Sequence, residues 1–172
     1  MKYIVIFLLL ITSITNAQKP ANHFKLANSE ISWQKVYETT KTKTQLIQYF
    51  EETGNFFSYQ VIADTIFAKL KPQSVDPKIT GVAGVPKLVN NEKYKGDVRI
   101  ELKDKKYRVT FSHLKIVGSG EIVKKNQTQT FEENYLTSTG GYRNFFLKKP
   151  RDVYNYWFNT IFEIKAKKKD DW

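Results

Sequence analysis

Two histidines, His23 and His113, are the only imidazoles in the chain, so acid–base or metal chemistry near neutral pH would have to draw on them and on carboxylates. His113 follows an alternating run and ends a strand, and one isolated imidazole is no metal site without further ligands at suitable spacing. The acidic residues supply neither an Asp-x-Asp-x-Asp-Gly run nor a His-x-x-Glu pair. Gly118-Ser-Gly-Glu121 holds a serine between glycines but lacks the Gly-x-Ser-x-Gly frame of a nucleophile elbow. Glu51-Glu52 and Glu132-Glu133 are sequence neighbours, whose side chains diverge, so they read as solvated charge and not as a glycosidase pair. Gly81-Val-Ala-Gly84 lacks the Lys-Ser/Thr that completes a phosphate-binding loop. The expectation is a chain with no catalytic residue, no metal and no cofactor.

A different chemistry is suggested by 141–162. There Tyr142 and Phe145 stand among Arg143, Lys148, Lys149 and Arg151. Aromatic faces beside cations suit sugars, lipid head groups or peptide aromatics, through stacking and cation–π contact. These six residues are the candidate ligand-binding set. The plainer alternative makes the aromatics core and the cations rim.

The elements that must position such residues follow from periodicity. Ile31-Ser-Trp-Gln-Lys-Val-Tyr37 puts Ile31, Trp33 and Tyr37 on one side of a strand and Val36 on the other. Thr42 and Gln45 have capping-box spacing ahead of a helix carrying Leu46, Ile47, Tyr49 and Phe50, which Gly54 can end. Phe57 to Ala63 alternates, a turn at Asp64-Thr65 leads into Ile66–Leu70, and Pro72 closes that section. The connection 72–92 is long enough to expect hidden structure or mobility. Val98, Ile100 and Leu102, then Tyr107, Val109 and Phe111, alternate around Asp104-Lys105 and predict a hairpin with one buried and one wet face. A short segment is expected at Glu132–Leu136. A helix is expected over Arg151–Lys167, with Val153, Tyr154, Trp157, Phe158, Ile161 and Ile164 as its apolar stripe and lysines at its end.

The N-terminus reads as a secretion signal: Lys2, the apolar run Ile4–Ile11, then a small, mostly polar stretch with Thr15 and Ala17 before Gln18. The run is too short for a bilayer span, which needs about 20 apolar residues. The expected division is a signal peptide over 1–17, a flexible leader over 18–29 and one α+β domain over 30–172, with no internal repeat. There is no cysteine, hence no disulfide framework, no thiolate, and no cysteine for lipid attachment after the signal. Formal charge is +11, falling to +10 when Lys2 leaves with the signal. In an exported protein such charge points away from nucleic acid and toward lipid head groups, acidic glycans or other proteins, or simply keeps an aromatic-rich domain soluble.

The order strand, helix, four strands and a late helix, behind a signal peptide, resembles a family of bacterial exported proteins, a domain of unknown function with a TATA-box-binding-protein-like (TBP-like) fold. The likeness is carried by Ile31-Ser-Trp-Gln-Lys-Val-Tyr37, the helix through Tyr49-Phe50, and Glu101-Leu-Lys-Asp-Lys-Lys-Tyr-Arg-Val-Thr-Phe111. It covers about 31–117. The hairpin tip Lys103-Asp-Lys-Lys-Tyr-Arg108 is its closest part, although the family commonly has Gly where this chain has Lys105. The resemblance implies a curved antiparallel sheet with helices packed on one face. It supplies no activity and no site, and fold alone does not imply DNA binding. Two functions are therefore expected: a non-enzymatic envelope module for an anionic or amphipathic partner, or a hydrolase acting on envelope glycans or lipids.

Overall fold

Alternation sets the architecture. The structure, a computed structural model, describes residues 22–164. The signal segment, the first residues of the leader and the lysines at 165–169 lie outside the described residues. Strand β2 (Glu30–Glu38) buries Ile31, Trp33 and Tyr37 and leaves Val36 exposed, as its period of two requires. Helix α1 (Lys43–Glu52) begins at a complete capping box between Thr42 and Gln45 and buries Leu46 and Phe50. Gly54 follows its end with φ +65°. The hairpin β5 (Lys93–Lys103) and β6 (Lys106–Val117) turns through Asp104-Lys105, where Lys105 has φ 59°.

The leader is partly structured. β1 (Phe24–Ala27) pairs antiparallel with β2, matching Phe24 to Trp33 and Leu26 to Ile31. Phe24 is buried against Phe146 and Phe158, and burial of such a ring stabilises by about 2 kcal/mol, enough to order a short segment. β3 (Phe56–Ile62) and β4 (Thr65–Ser74) form a second hairpin. β4 runs beyond Leu70 and through Pro72, because a bulge between Leu70 and Gln73 spares the proline from the ladder with β5. The long connection holds two short helices, α2 (Pro77–Thr80) and α3 (Lys87–Asn91). β7 (Thr128–Thr130) precedes α4 (Phe131–Tyr135), and α5 spans Lys149–Phe162.

The sheet order is β1-β2-β6-β5-β4-β3, all antiparallel, with β7 on the far end of β6. One face is packed. Trp33, Phe111 and Tyr94 meet Phe158, Phe162 and Tyr154 of α5, with ring centroids about 5–6 Å apart. Two sets of polar tips in this core are bonded. Trp33 Nε1 donates to Asn155 Oδ1 at 3.0 Å, and the hydroxyls of Tyr135 and Tyr154 lie 2.7 Å apart. α5 stops at Phe162, short of the expected Lys167. Tyr107 explains the stop: its hydroxyl donates to Phe162 O at 2.8 Å and accepts from Ile164 N at 3.3 Å, holding the chain out of the helix. Phe162 thus takes the buried place expected of Ile164.

Bulges interrupt three strands: β3 between Phe57 and Gln60, β4 between Leu70 and Gln73, and β6 opposite Lys95–Asp97. Each bends its strand and adds twist. The result is an α+β fold whose curved, open antiparallel sheet carries helices on one face and, among the described residues, leaves the other bare.

Candidate functional site: the open face of the sheet

The bare face is built from the residues that alternate with the core. On β5 these are Lys95, Asp97, Arg99, Glu101 and Lys103, because Tyr94, Val98, Ile100 and Leu102 point inward. Their cross-strand neighbours include Phe67 and Lys69 on β4 and Arg108, Thr110 and Ser112 on β6.

β6 does not end at His113. Its alternation shifts there instead: Tyr107, Val109 and Phe111 are buried before the bulge, Leu114 and Ile116 after it. His113 takes φ 49° and turns its ring onto the open face. Gly96 permits this. A Cβ at that position would lie 2.7 Å from both Phe111 Cε2 and Ser112 O, so only glycine fits opposite the extra residue. His113 is flanked by two carboxylates, with Nδ1 3.1 Å from Asp97 Oδ2 and Nε2 3.8 Å from Glu30 Oε1. The three side chains are 63%, 48% and 45% exposed.

Around them runs a groove of about 580 Å³ lined by Ser58, Gln60, Phe67, Arg99 and Thr110 together with this trio. A second hollow of about 380 Å³ continues past Gly96, lined by Phe57, Lys69, Lys95, Asp97, His113 and Lys115. Phe57 and Phe67 are 44% and 42% exposed, large apolar rings with no covering element among the described residues. Toward the hairpin tip Arg108 grips Glu101 with two bonds, 2.7 and 2.6 Å, and this pairing holds the Glu101 carboxyl below its ordinary range. Lys69, Lys95 and Lys115 have no such partner: among the described residues no carboxylate lies within 4 Å of them. Lys95 and Lys115 are directly opposite one another in the ladder, an arrangement that costs stability.

The six residues singled out in 141–162 lie elsewhere. Arg143 is bound into the backbone, its Nε donating to Leu136 O at 2.7 Å and its guanidinium reaching Glu133 O at 3.4 Å. Arg151 faces its neighbour Asp152 at 3.0 Å, and Lys149 reaches Gly84 O at 3.4 Å. Tyr142 stacks on Phe146, and Phe145 on Tyr135. Burial raises the Tyr142 hydroxyl, which has no hydrogen-bond partner among the described residues. Lys148 is exposed at the start of α5. None of the six lines the open-face groove. The open-face residues were visible in the sequence only as the polar half of an alternating pattern, and their meeting depends on strand order and on the bulge at His113.

No protein-family model matches the chain, and no curated protein matches it. Among solved structures it is similar to a TBP-like protein from Parabacteroides distasonis ATCC 8503, at 15% identity and a TM-score of 0.47, with 80% of this chain and 94% of that one covered. It is also similar to a DUF4468 family protein from Bacteroides ovatus ATCC 8483, at 10% identity and a TM-score of 0.44, with 81% of this chain and 82% of that one covered. Both descriptions are of the kind that the sequence resemblance names.

Proposed function

We propose that this chain is an exported, non-enzymatic binding module whose open sheet face takes an anionic, amphipathic component of the cell envelope, an acidic lipid surface. One observation carries the reading: unpaired lysines and exposed phenylalanines share a face that no described element covers. Cations draw an acidic surface from a distance, and buried aromatic area then adds affinity. Among the described residues no helix is long and apolar enough to cross a membrane.

Sedimentation with vesicles tests it. The chain is expected to co-sediment with phosphatidylcholine vesicles containing an acidic lipid and to stay in solution with pure phosphatidylcholine. Phe67→Ser should weaken the association about tenfold or more, since the ring contributes roughly 1.5–3 kcal/mol when buried. Equal sedimentation with both vesicle types, or none with either, overturns the proposal.

The Glu30–His113–Asp97 trio favours a second reading, a hydrolase acting on envelope glycans or lipids. Two carboxylates beside an imidazole are the raw material of acid–base catalysis. Against it, all three side chains are about half exposed or more, where water screens their mutual influence. Turnover of a chromogenic ester or glycoside that vanishes in His113→Ala would establish the hydrolase, and silence across such a panel would count for the binding module.

A further inference from the structure

Within that open-face reading, on which this inference rests, the hollow beside Gly96 has chemistry of its own. We propose that Lys69, Lys95 and Lys115 form a seat for a phosphomonoester, with the ring of Phe57 against the apolar group that bears it. The two strands set Lys95 and Lys115 directly opposite each other, and Lys69 enters the same hollow from β4. None has a carboxylate within ion-pair distance among the described residues, whereas Arg99 and Arg108 on the same face are both placed on Glu101. Like charges opposed in a ladder cost stability, and an anion between them reverses that cost.

The anion best suited to three ammonium groups is one with more than a single charge and several oxygens. A phosphomonoester carries about −1.5 to −2 near neutral pH, with three acceptor oxygens. A phosphodiester or a carboxylate carries one charge. Asp97 is the carboxylate in the lining, and it faces His113 Nδ1 at 3.1 Å. Its charge repels a dianion more than a monoanion, so the preference for a dianion rests on the three ammonium groups outweighing it. The apolar side of the ligand is supplied by Phe57, which lines the hollow from β3 beside its ladder partner Lys69.

The test compares head groups at matched surface charge. Phosphatidylcholine vesicles doped with phosphatidic acid present a monoester, and those doped with phosphatidylglycerol a diester; phenyl phosphate serves as the soluble probe. The seat predicts at least tenfold tighter association with the phosphatidic acid vesicles, and a saturable rise in Tm with phenyl phosphate. Lys95→Gln and Lys115→Gln should each abolish that preference and that rise, while their ligand-free Tm stays equal or increases. An unchanged ligand-free Tm separates lost binding from lost folding. A Tm rise with phenyl phosphate but no vesicle association keeps the seat and rejects the acidic-lipid reading. Equal association with both acidic vesicles and no Tm rise overturns the seat and leaves the open-face reading standing. Variants that bind as the parent does also overturn the seat, and failure to bind either vesicle or phenyl phosphate removes both proposals.

Discussion

The two faces of this sheet are made by the same strands under opposite rules. On the packed face, rings of Trp33, Phe111, Phe158 and Phe162 interlock, and Asn155 accepts a hydrogen bond from Trp33 Nε1. On the open face, rings of Phe57 and Phe67 stand exposed and Lys95 opposes Lys115 without a counter-charge among the described residues. The first arrangement is what stability selects. The second works against stability, and a binding surface is a physical reason to keep it.

The contrast is sharpest where a residue belongs to one face alone. Trp33→Ala should cost about 3–5 kcal/mol by opening a cavity under α5 and removing one hydrogen bond to Asn155 Oδ1, read as a fall in urea midpoint with unchanged slope. A loss below 1 kcal/mol would break the picture of one continuous aromatic core.

Glu92 tests the core rim. Fully buried, it accepts from the backbone amides of Ser119, Ile122 and Val123. Burial pushes its carboxyl up, but these amide bonds outweigh burial and hold it below its ordinary value. A carboxyl lowered on folding adds stability that is present above its unfolded value, about 4.3, and is lost as pH falls through the folded value. Glu92→Gln should therefore be less stable by about 2–3 kcal/mol at pH 7, with the gap from the parent closing below about pH 4. Unfolding curves from pH 7 to 3 check this, and a pH-independent gap would show that the amide clasp is not ionic.

Gly96 joins the two faces, since its bareness lets the bulge carry His113 outward while Phe111 stays inward. Gly96→Ala is expected to cost about 1–3 kcal/mol through the clash with Phe111 and Ser112. The smallest effect is at the hairpin tip: Lys105→Gly should stabilise by about 0.5–1 kcal/mol, because φ 59° suits glycine better than any side chain. A Tm rise of a few degrees reads it out.

Much of the packed face was legible in the sequence, because alternation and capping are local. Ile31, Trp33 and Tyr37 declare their side within seven residues, and Thr42 and Gln45 mark a helix start by spacing alone. β1 leaves no mark in the sequence because four residues give no period, and it is ordered by pairing with β2 and by the distant Phe146 and Phe158. In the sequence the strand ends at His113, because the bulge there breaks the period of two that defines a strand. The open face was illegible for a related reason. Lys69, Lys95 and Lys115 each look like an ordinary solvated lysine, and only the order β6-β5-β4 brings them to one hollow.

Lysine acetylation footprinting, with and without vesicles containing phosphatidic acid, tests the assignment of the binding surface most directly. The account predicts protection of Lys69, Lys95 and Lys115, with Lys148 and Lys149 at the start of α5 reacting as they do in the free chain. Protection confined to Lys148 and Lys149 would contradict it and return the binding surface to Tyr142–Arg151.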